Sequence, residues 1–335
     1  VTTTLLAGDI GGTKTLLSLY RWDGVLHLLS GERFASADWP DLGAMVLHFL
    51  GGDARRGFPP PAAACFAVAG PVQGGQARLT NLTWQLSETG LAQACGIERV
   101  ELVNDFAVLI HGLPHLQPAQ LAAIQEGVAQ QDEPRLILGA GTGLGVAIGI
   151  PTAAGLKAVA SEAAHGEFAP RHEREWQLKQ WLRHHLGLER VSIERVVSGT
   201  GLGHVARWLL ASRQSAEPHP LDAVAADLQA DLPAAVAAAA QRGEPLAREA
   251  LELWLSAYGS VVGDLALASL SRGGIWLAGG TAAKLLEPLR SPVFRAAFLA
   301  KGRLRPALET MPIQALIDPE VGSFSAACRA KDLVG

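Results

Sequence analysis

The chain opens on two apolar runs parted by a polar tip. "LLAGDI" and "TLLSLY" read as paired strands, and Asp9, Gly11, Gly12, Thr13 and Lys14 fall at or beside the turn that joins them. A helical pattern follows in "PDLGAMVLHFL", then a buried strand in "AACFAVAG" that ends at the Gly70-Pro71 turn. "SETGLAQACG" reads as a helix with Ser87 at its N-cap and Gly96 closing it, and "VELVND" as another strand. Alternating elements of this kind predict an α/β architecture. In the second half, "REWQLKQWLRHHLGL" and "PLAREALELWLSAYGSVVGDLALASL" predict long helices. The Ala-rich stretch 223–240 is read as helix on the intrinsic propensity of alanine.

The stretch 136–156, "LILGAGTGLGVAIGIPTAAGL", carries no charge and is long enough to span a bilayer. Its six glycines and one proline break it into two short apolar runs, so it reads as strand, glycine turn and strand. It repeats the pattern of the opening hairpin: apolar strand, glycine-rich tip with a threonine, apolar strand. Two such hairpins point to a duplicated lobe, each offering a glycine tip to a shared ligand. A third glycine element, "GGIWLAGGTAAKLLEPL", predicts a strand from Ile275 to Ala278, then Gly279-Gly280 and a helix, where a flat group such as a nucleoside can lie against the backbone.

Composition narrows the picture. The 335 residues suffice for two lobes with separate cores, and 49% hydrophobic with 18% charged residues fits a folded globular chain. A formal net charge of −4, without a Lys/Arg cluster, gives no sign of a nucleic-acid partner. Three widely spaced cysteines, Cys65, Cys95 and Cys328, fit a reducing compartment, and no basic region precedes the first apolar run, so the expected location is cytoplasmic with no membrane partner. His165 has no Cys-rich neighbourhood that would suggest structural zinc. His184-His185 reads as a solvated helix face, and no Ser/His/Asp or nucleophilic cysteine motif stands out.

Consecutive N–H groups at glycine tips converge on anions, so both hairpins are candidate phosphate cradles. Neither matches the Walker spacing, and neither is followed by the helix that a dinucleotide fingerprint requires. Taken together, Asp9-Ile10-Gly11-Gly12-Thr13, Gly139-Ala140-Gly141-Thr142-Gly143 and Leu277-Ala278-Gly279-Gly280 resemble the two phosphate loops and the adenosine motif of actin-fold sugar kinases. "LVNDF" (102–106), "SEAAHGEFAP" (161–170), "ERVVSGTGL" (194–202), "TNLTW" (80–84) and "DPEVGSFSAA" (318–327) further resemble bacterial ATP-dependent glucokinases, in the family's order and nearly end to end.

That resemblance implies two actin-like (ribonuclease H-like) α/β lobes with a central cleft, a small one of residues 1–113 completed by 318–335 and a large one of 114–317. It implies glucose and ATP as substrates, with Mg²⁺ as the metal, and glucose 6-phosphate as a product for glycolysis. Gly11, Gly12, Thr13, Lys14, Gly141, Thr142, Gly143, Gly279 and Gly280 would bind ATP, and Asp9 would hold the metal through water. Asp105, at the end of a strand, would be the general base; Asn104, Asp105, Glu162, His165 and Glu194 would bind glucose, since a hydroxyl-rich ligand calls for carboxylates, amides and imidazoles. Glu162 and His165, three apart, can share one face of a turn. Two positions depart from the family pattern: Lys14 stands where asparagine is usual, and Ala163-Ala164 replace a usual Gly-Gly. Kinases for another hexose and a sugar-binding regulator without catalysis are the alternatives. The apparent base, and the absence of a helix-turn-helix ahead of the first strand, count against the regulator. A homodimer is left open.

Overall fold

The computed structural model describes residues 2–53, 57–79, 82–215 and 217–335; Thr80 and Asn81 of the "TNLTW" stretch lie outside the described residues. The chain divides into two compact units, one of residues 1–120, 152–160 and 318–335, the other of 121–151 and 161–317. The segment 152–160 thus groups with the first unit, although the sequence reading had it within 114–317.

In the first unit, strands β1 (Thr3–Ile10), β2 (Lys14–Trp22), β3 (Leu26–Ala35), β4 (Ala63–Val68) and β5 (Arg99–Asn104) lie side by side in the order β3-β2-β1-β4-β5. β1 runs antiparallel to β2 and parallel to β4, which is parallel to β5. β1 and β4 are apolar along almost their whole length because both faces of the sheet centre are covered. On one face Leu6, Leu17, Leu19 and Phe66 pack with Met45 and Phe49 of the helix Leu42–Gly51. The C-terminal helix Val321–Val334 packs on the same sheet through a run of small buried residues that includes Ala326, Ala327 and Ala330. Local signals placed the caps. Asp41 accepts from the Ala44 N–H, Ser87 accepts from the Gly90 N–H, and Gly96 ends its helix at φ 66°.

The second unit repeats the plan with β6 (Leu121–Gln125), β7 (Arg135–Ala140), β8 (Leu144–Thr152), β9 (Ile275–Ala278) and β10 (Ile313–Leu316), adjacent in the order β8-β7-β9-β10-β6. β7 is antiparallel to β8 and parallel to β9, and β9 is parallel to β10. The uncharged stretch therefore contains a hairpin within the sheet. Among the described residues, no helix is long and apolar enough to cross a membrane.

Helix Pro245–Ser269 begins on Glu244, whose carboxylate accepts from the Leu246 and Ala247 N–H groups. The Ala-rich stretch 223–240 is not one helix, which corrects the sequence reading. Helix Asp222–Ala226 stops, and a second begins at Leu232. Pro233 cannot donate the i→i−4 bond that a continuous helix needs, and Asp231 caps the new start by accepting from the Ala234 N–H at 3.1 Å.

Trp254 is wholly buried in the second unit's core, and its indole N–H donates to the Ser198 carbonyl at 2.9 Å. Trp254→Ala empties that volume and removes one of the two hydrogen bonds to the carbonyl, which keeps the Leu202 N–H. It should lower stability by about 3–5 kcal/mol, read as a shifted denaturant midpoint.

Candidate functional site

The first unit collects its chemistry at one end of its parallel strands. Ile10, Val68 and Asn104 lie in one row across β1, β4 and β5. The glycine tip after β1, the Gly70 turn after β4 and Asp105 after β5 therefore emerge together, at the carboxyl ends where α/β sheets gather ligands. The tip is a tight turn in which the Gly11 N–H donates to the Lys14 carbonyl at 3.0 Å. A Cβ on Gly11 would stand 2.8 Å from that same oxygen, so only glycine fits. Thr13 and Lys14 are exposed at the tip.

Asn104 realises the turn chemistry that its residue type favours. Its Oδ1 accepts from the N–H groups of Phe106 and Ala107, both at 3.0 Å, and so satisfies two N–H groups where the helix Ala107–Gly112 begins. Its Nδ2 donates to the Gly70 carbonyl and to Asp105 Oδ1, each at 3.1 Å. Asp105 Oδ1 also accepts from the Phe106 N–H at 3.0 Å, and the Asp105 N–H donates to the Val68 carbonyl. The carboxyl group is thereby fixed in direction.

Burial pushes the Asp105 carboxyl up to about 6, helped by the negative charge of Asp9 and opposed by the hydrogen bonds from Phe106 and Asn104. Asp9 is raised as well, by desolvation, with the Arg33 guanidinium opposing. Arg33 is itself paired with Glu320 at 3.0 Å. Gly322 crowds the Asp9 carboxylate closely enough that a Cβ there would stand 3.0 Å from Oδ2.

The second unit holds a carboxylate–imidazole cluster. His165 Nε2 is 3.6 Å from Glu162 Oε2, and its Nδ1 is 3.8 Å from Glu194 Oε1. A 3₁₀ turn over Ala163–His165, closed by the His165 N–H on the Glu162 carbonyl, puts Glu162 and His165 on one side. The Ile193 N–H donates to the Gly166 carbonyl and brings Glu194 alongside. The Ala163-Ala164 pair is accommodated within this turn, with Ala164 buried.

The second glycine tip abuts the cluster. A Cβ on Gly143 would lie 2.8 Å from Glu194 Oε2. The tip is tied to the helix Gly199–Ala211: the Gly199 N–H donates to the Gly141 carbonyl at 2.7 Å and Thr200 Oγ1 to the Thr142 carbonyl at 2.8 Å. Gly141, Thr142 and Gly280 line a cavity of about 440 Å³ together with Thr200, Leu232 and Lys284. Gly279 adopts φ 81° against the Ala140 carbonyl, and Thr281 Oγ1 donates to that oxygen. Gly139 and Ala278 share a row, so this junction and the second tip leave their sheet at the same end.

Three hydroxyls that matter here were missed in the sequence: Ser36, Thr200 and Thr281. Ser198, which caps the helix before Thr200 by accepting from the Gly201 N–H, was a local signal that could have drawn attention to Thr200. Ser36 had none, since it meets the first tip from another strand's end.

The donor set suits the ligands that the resemblance implies. Among the described residues, no group of three or more His, Cys, Asp or Glu side chains could hold a metal ion. Mg²⁺, however, keeps most of its waters and takes one or two carboxylates besides phosphate oxygens. A half-buried Asp9 beside a second carboxyl, each made costly to ionise, is a fit for that ion.

Solved structures supply the class. The chain superimposes on a glucokinase from an Antarctic psychrotroph with a TM-score of 0.84, at 29% identity over 98% of this chain and 99% of that one. A glucokinase from Balamuthia mandrillaris, solved with glucose, gives 0.78 at 21% identity, over 98% of this chain and 94% of that one. The fold is the actin-like α/β fold of the hexose kinases. A family model described as Glucokinase matches residues 6–333. The curated glucokinase of Nostoc punctiforme is 39% identical over 98% of this chain and 99% of its own length. That of Synechocystis sp. is 41% identical over 97% and 98%. The chain belongs to the glucokinase family.

Desolvation of Asp105 has a cost that is visible in stability. Its folded carboxyl holds a proton more tightly than an unfolded one, so folding is favoured below the ordinary carboxylate range and loses stability as pH rises through about 6. Asp105→Asn keeps the shape and both acceptor bonds. It should therefore be more stable than the parent at pH 7.5, on the order of 1–3 kcal/mol, and indistinguishable from it near pH 4 by denaturant titration.

Proposed function

We propose that the protein is a glucokinase, transferring the γ-phosphoryl group of ATP to the 6-hydroxyl of glucose with Asp105 as general base. The observation that carries this reading is the Asp105 carboxyl, fixed by Asn104 and Phe106 and raised to about 6. A base with that affinity is ionised at neutral pH yet still attracts a proton from an alcohol becoming an alkoxide. As the glucose O6 forms its bond to the γ-phosphorus, its proton passes to Asp105. The bond to the β–γ bridging oxygen breaks, and its electron pair leaves with ADP.

The remaining roles follow the chemistry of each group. Asn104 directs the base, and Glu162, His165 and Glu194 engage sugar hydroxyls as acceptors and donors. The tips at Gly11, Gly12, Thr13 and Lys14 and at Gly141, Thr142 and Gly143 receive phosphates, with the Lys14 ammonium adding charge. The 440 Å³ cavity beside Gly280 takes the nucleoside, and Gly279 keeps its entrance backbone in shape. Asp9 would hold Mg²⁺ through water, and the ion would supply charge neutralisation on the transferring phosphates. Product glucose 6-phosphate would enter glycolysis in the cytoplasm, where ATP is supplied and unpaired cysteines persist.

Asp105→Asn should cut turnover by about 10²–10⁴-fold in a coupled assay of ADP release, and near-normal turnover would remove Asp105 from this role. In the parent enzyme, kcat/KM for glucose should fall on the acid side with an apparent pKa near 6, as the base becomes protonated. A substrate panel tests the sugar: glucose must have the highest kcat/KM among the hexoses.

Gly143→Ala drives a methyl group toward the Glu194 carboxylate. Its KM for glucose should rise about tenfold, the worth of one hydrogen bond to a charged group. An unchanged KM would separate Glu194 from the sugar.

A further inference from the structure

Ser36 lies at the far end of β3 from the opening hairpin in sequence, yet it is wholly buried beneath the first glycine tip. Its Oγ donates to the Gly11 carbonyl at 2.9 Å, and its N–H donates to the Thr13 carbonyl at 3.0 Å. Thr15, also wholly buried, has its Oγ1 3.0 Å from Ser36 Oγ. Because the Ser36 hydrogen is committed to Gly11, the Thr15 hydroxyl must be the donor of that pair. The two hydroxyls form a short directed chain, Thr15 to Ser36 to the Gly11 carbonyl, shielded from water.

A trans peptide unit points its C=O and its N–H in opposite directions. Fixing the Gly11 carbonyl toward Ser36 therefore turns the Gly12 N–H to the other side, outward from the tip. The peptide between two glycines has no Cβ to resist a flip, and a flip would present a carbonyl oxygen where an anion is to be received. We propose that Ser36, oriented by Thr15, is a positioning residue that holds the Gly11-Gly12 peptide with its N–H toward the nucleotide's phosphates. The proposal rests on the reading of this tip as a phosphate cradle.

The experiment compares equilibrium binding of AMPPNP, adenosine and glucose to the full chain, its Ser36→Ala, Thr15→Val and Thr15→Ser variants, by calorimetry. Ser36→Ala and Thr15→Val should each weaken AMPPNP about tenfold, as loss of one directing hydrogen bond does, while adenosine and glucose stay within twofold. Thr15→Ser, which keeps the hydroxyl, should restore AMPPNP affinity. In steady state the same loss should appear in KM for ATP and leave KM for glucose unchanged. A folded Ser36→Ala with AMPPNP affinity within twofold of the parent overturns the proposal, as does a parallel loss of glucose affinity. If Ser36→Ala does not fold, the Thr15 pair decides in the same terms. Hydrogen exchange of the parent's tip amides with and without AMPPNP tests the underlying reading separately. No protection at Gly12 would defeat the cradle itself, whereas protection with an indifferent Ser36→Ala defeats only the role of Ser36.

Discussion

The structure depends on which way a few peptide groups face. Each hairpin tip carries two glycines and one hydrogen bond of its own, from the Gly11 N–H to the Lys14 carbonyl in the first and from the Gly141 N–H to the Gly143 carbonyl in the second, and that bond does not fix the Gly11 and Gly141 carbonyls. In each unit the restraint comes from elsewhere in the chain. Ser36 takes the Gly11 and Thr13 carbonyls in the first. Gly199 and Thr200 take the Gly141 and Thr142 carbonyls in the second. The two solutions use different elements, a strand end in one case and a capped helix start in the other. They reach the same result, with carbonyl oxygens of each tip tied by donors from elsewhere in its unit. A glycine tip is permissive by composition and becomes selective only through these hydroxyl and amide anchors.

Electrostatics at the strand ends follows from the same register. With Ile10, Val68 and Asn104 in one row, Asp9 and Asp105 stand two strands apart in partial burial, and the charge of Asp9 adds to the burial that raises Asp105. Burial raises Asp9, and the Arg33 guanidinium opposes that shift without cancelling it. A fold selected only for stability would replace one of these carboxyls with a neutral isostere. On the proposed reading that cost would be borne for a base at Asp105 and a cation-holding carboxylate at Asp9.

Elements with strong local signals were legible from the residues. The strands around Gly11-Gly12 and Gly141-Thr142-Gly143, the Ser87 cap, the Gly96 terminus and the strand before Gly279 all rest on short-range patterns, and the structure has them where those patterns fall. The break in 223–240 was a competition between alanine propensity and one proline preceded by an Asp cap, and the local breaker won. Asn104 shows a subtler limit. Residue type alone favoured a turn or a cap, motif context favoured a sugar contact, and the geometry gives the turn directly while leaving Asn104 in contact with Asp105. Ser36 was beyond reach because its partner Thr15 is 21 positions away, a separation that periodicity and capping rules do not see.

The duplicated topology explains why so few residues suffice. Each unit sets an antiparallel hairpin beside parallel strands, so that the hairpin's glycine tip and the carboxyl ends of its neighbours emerge on one edge. In the first unit that edge carries acids, at Asp9 and Asp105. In the second it carries a cavity at Gly280, and the Glu162–His165–Glu194 cluster lies against its tip at Gly143. The backbone plan is common and the chemistry differs, because the side chains at the strand ends are free to diverge once the tips are anchored. On the proposed reading, phosphate recognition would belong to the shared frame, whereas proton transfer and hydroxyl recognition would belong to residues that only one unit has.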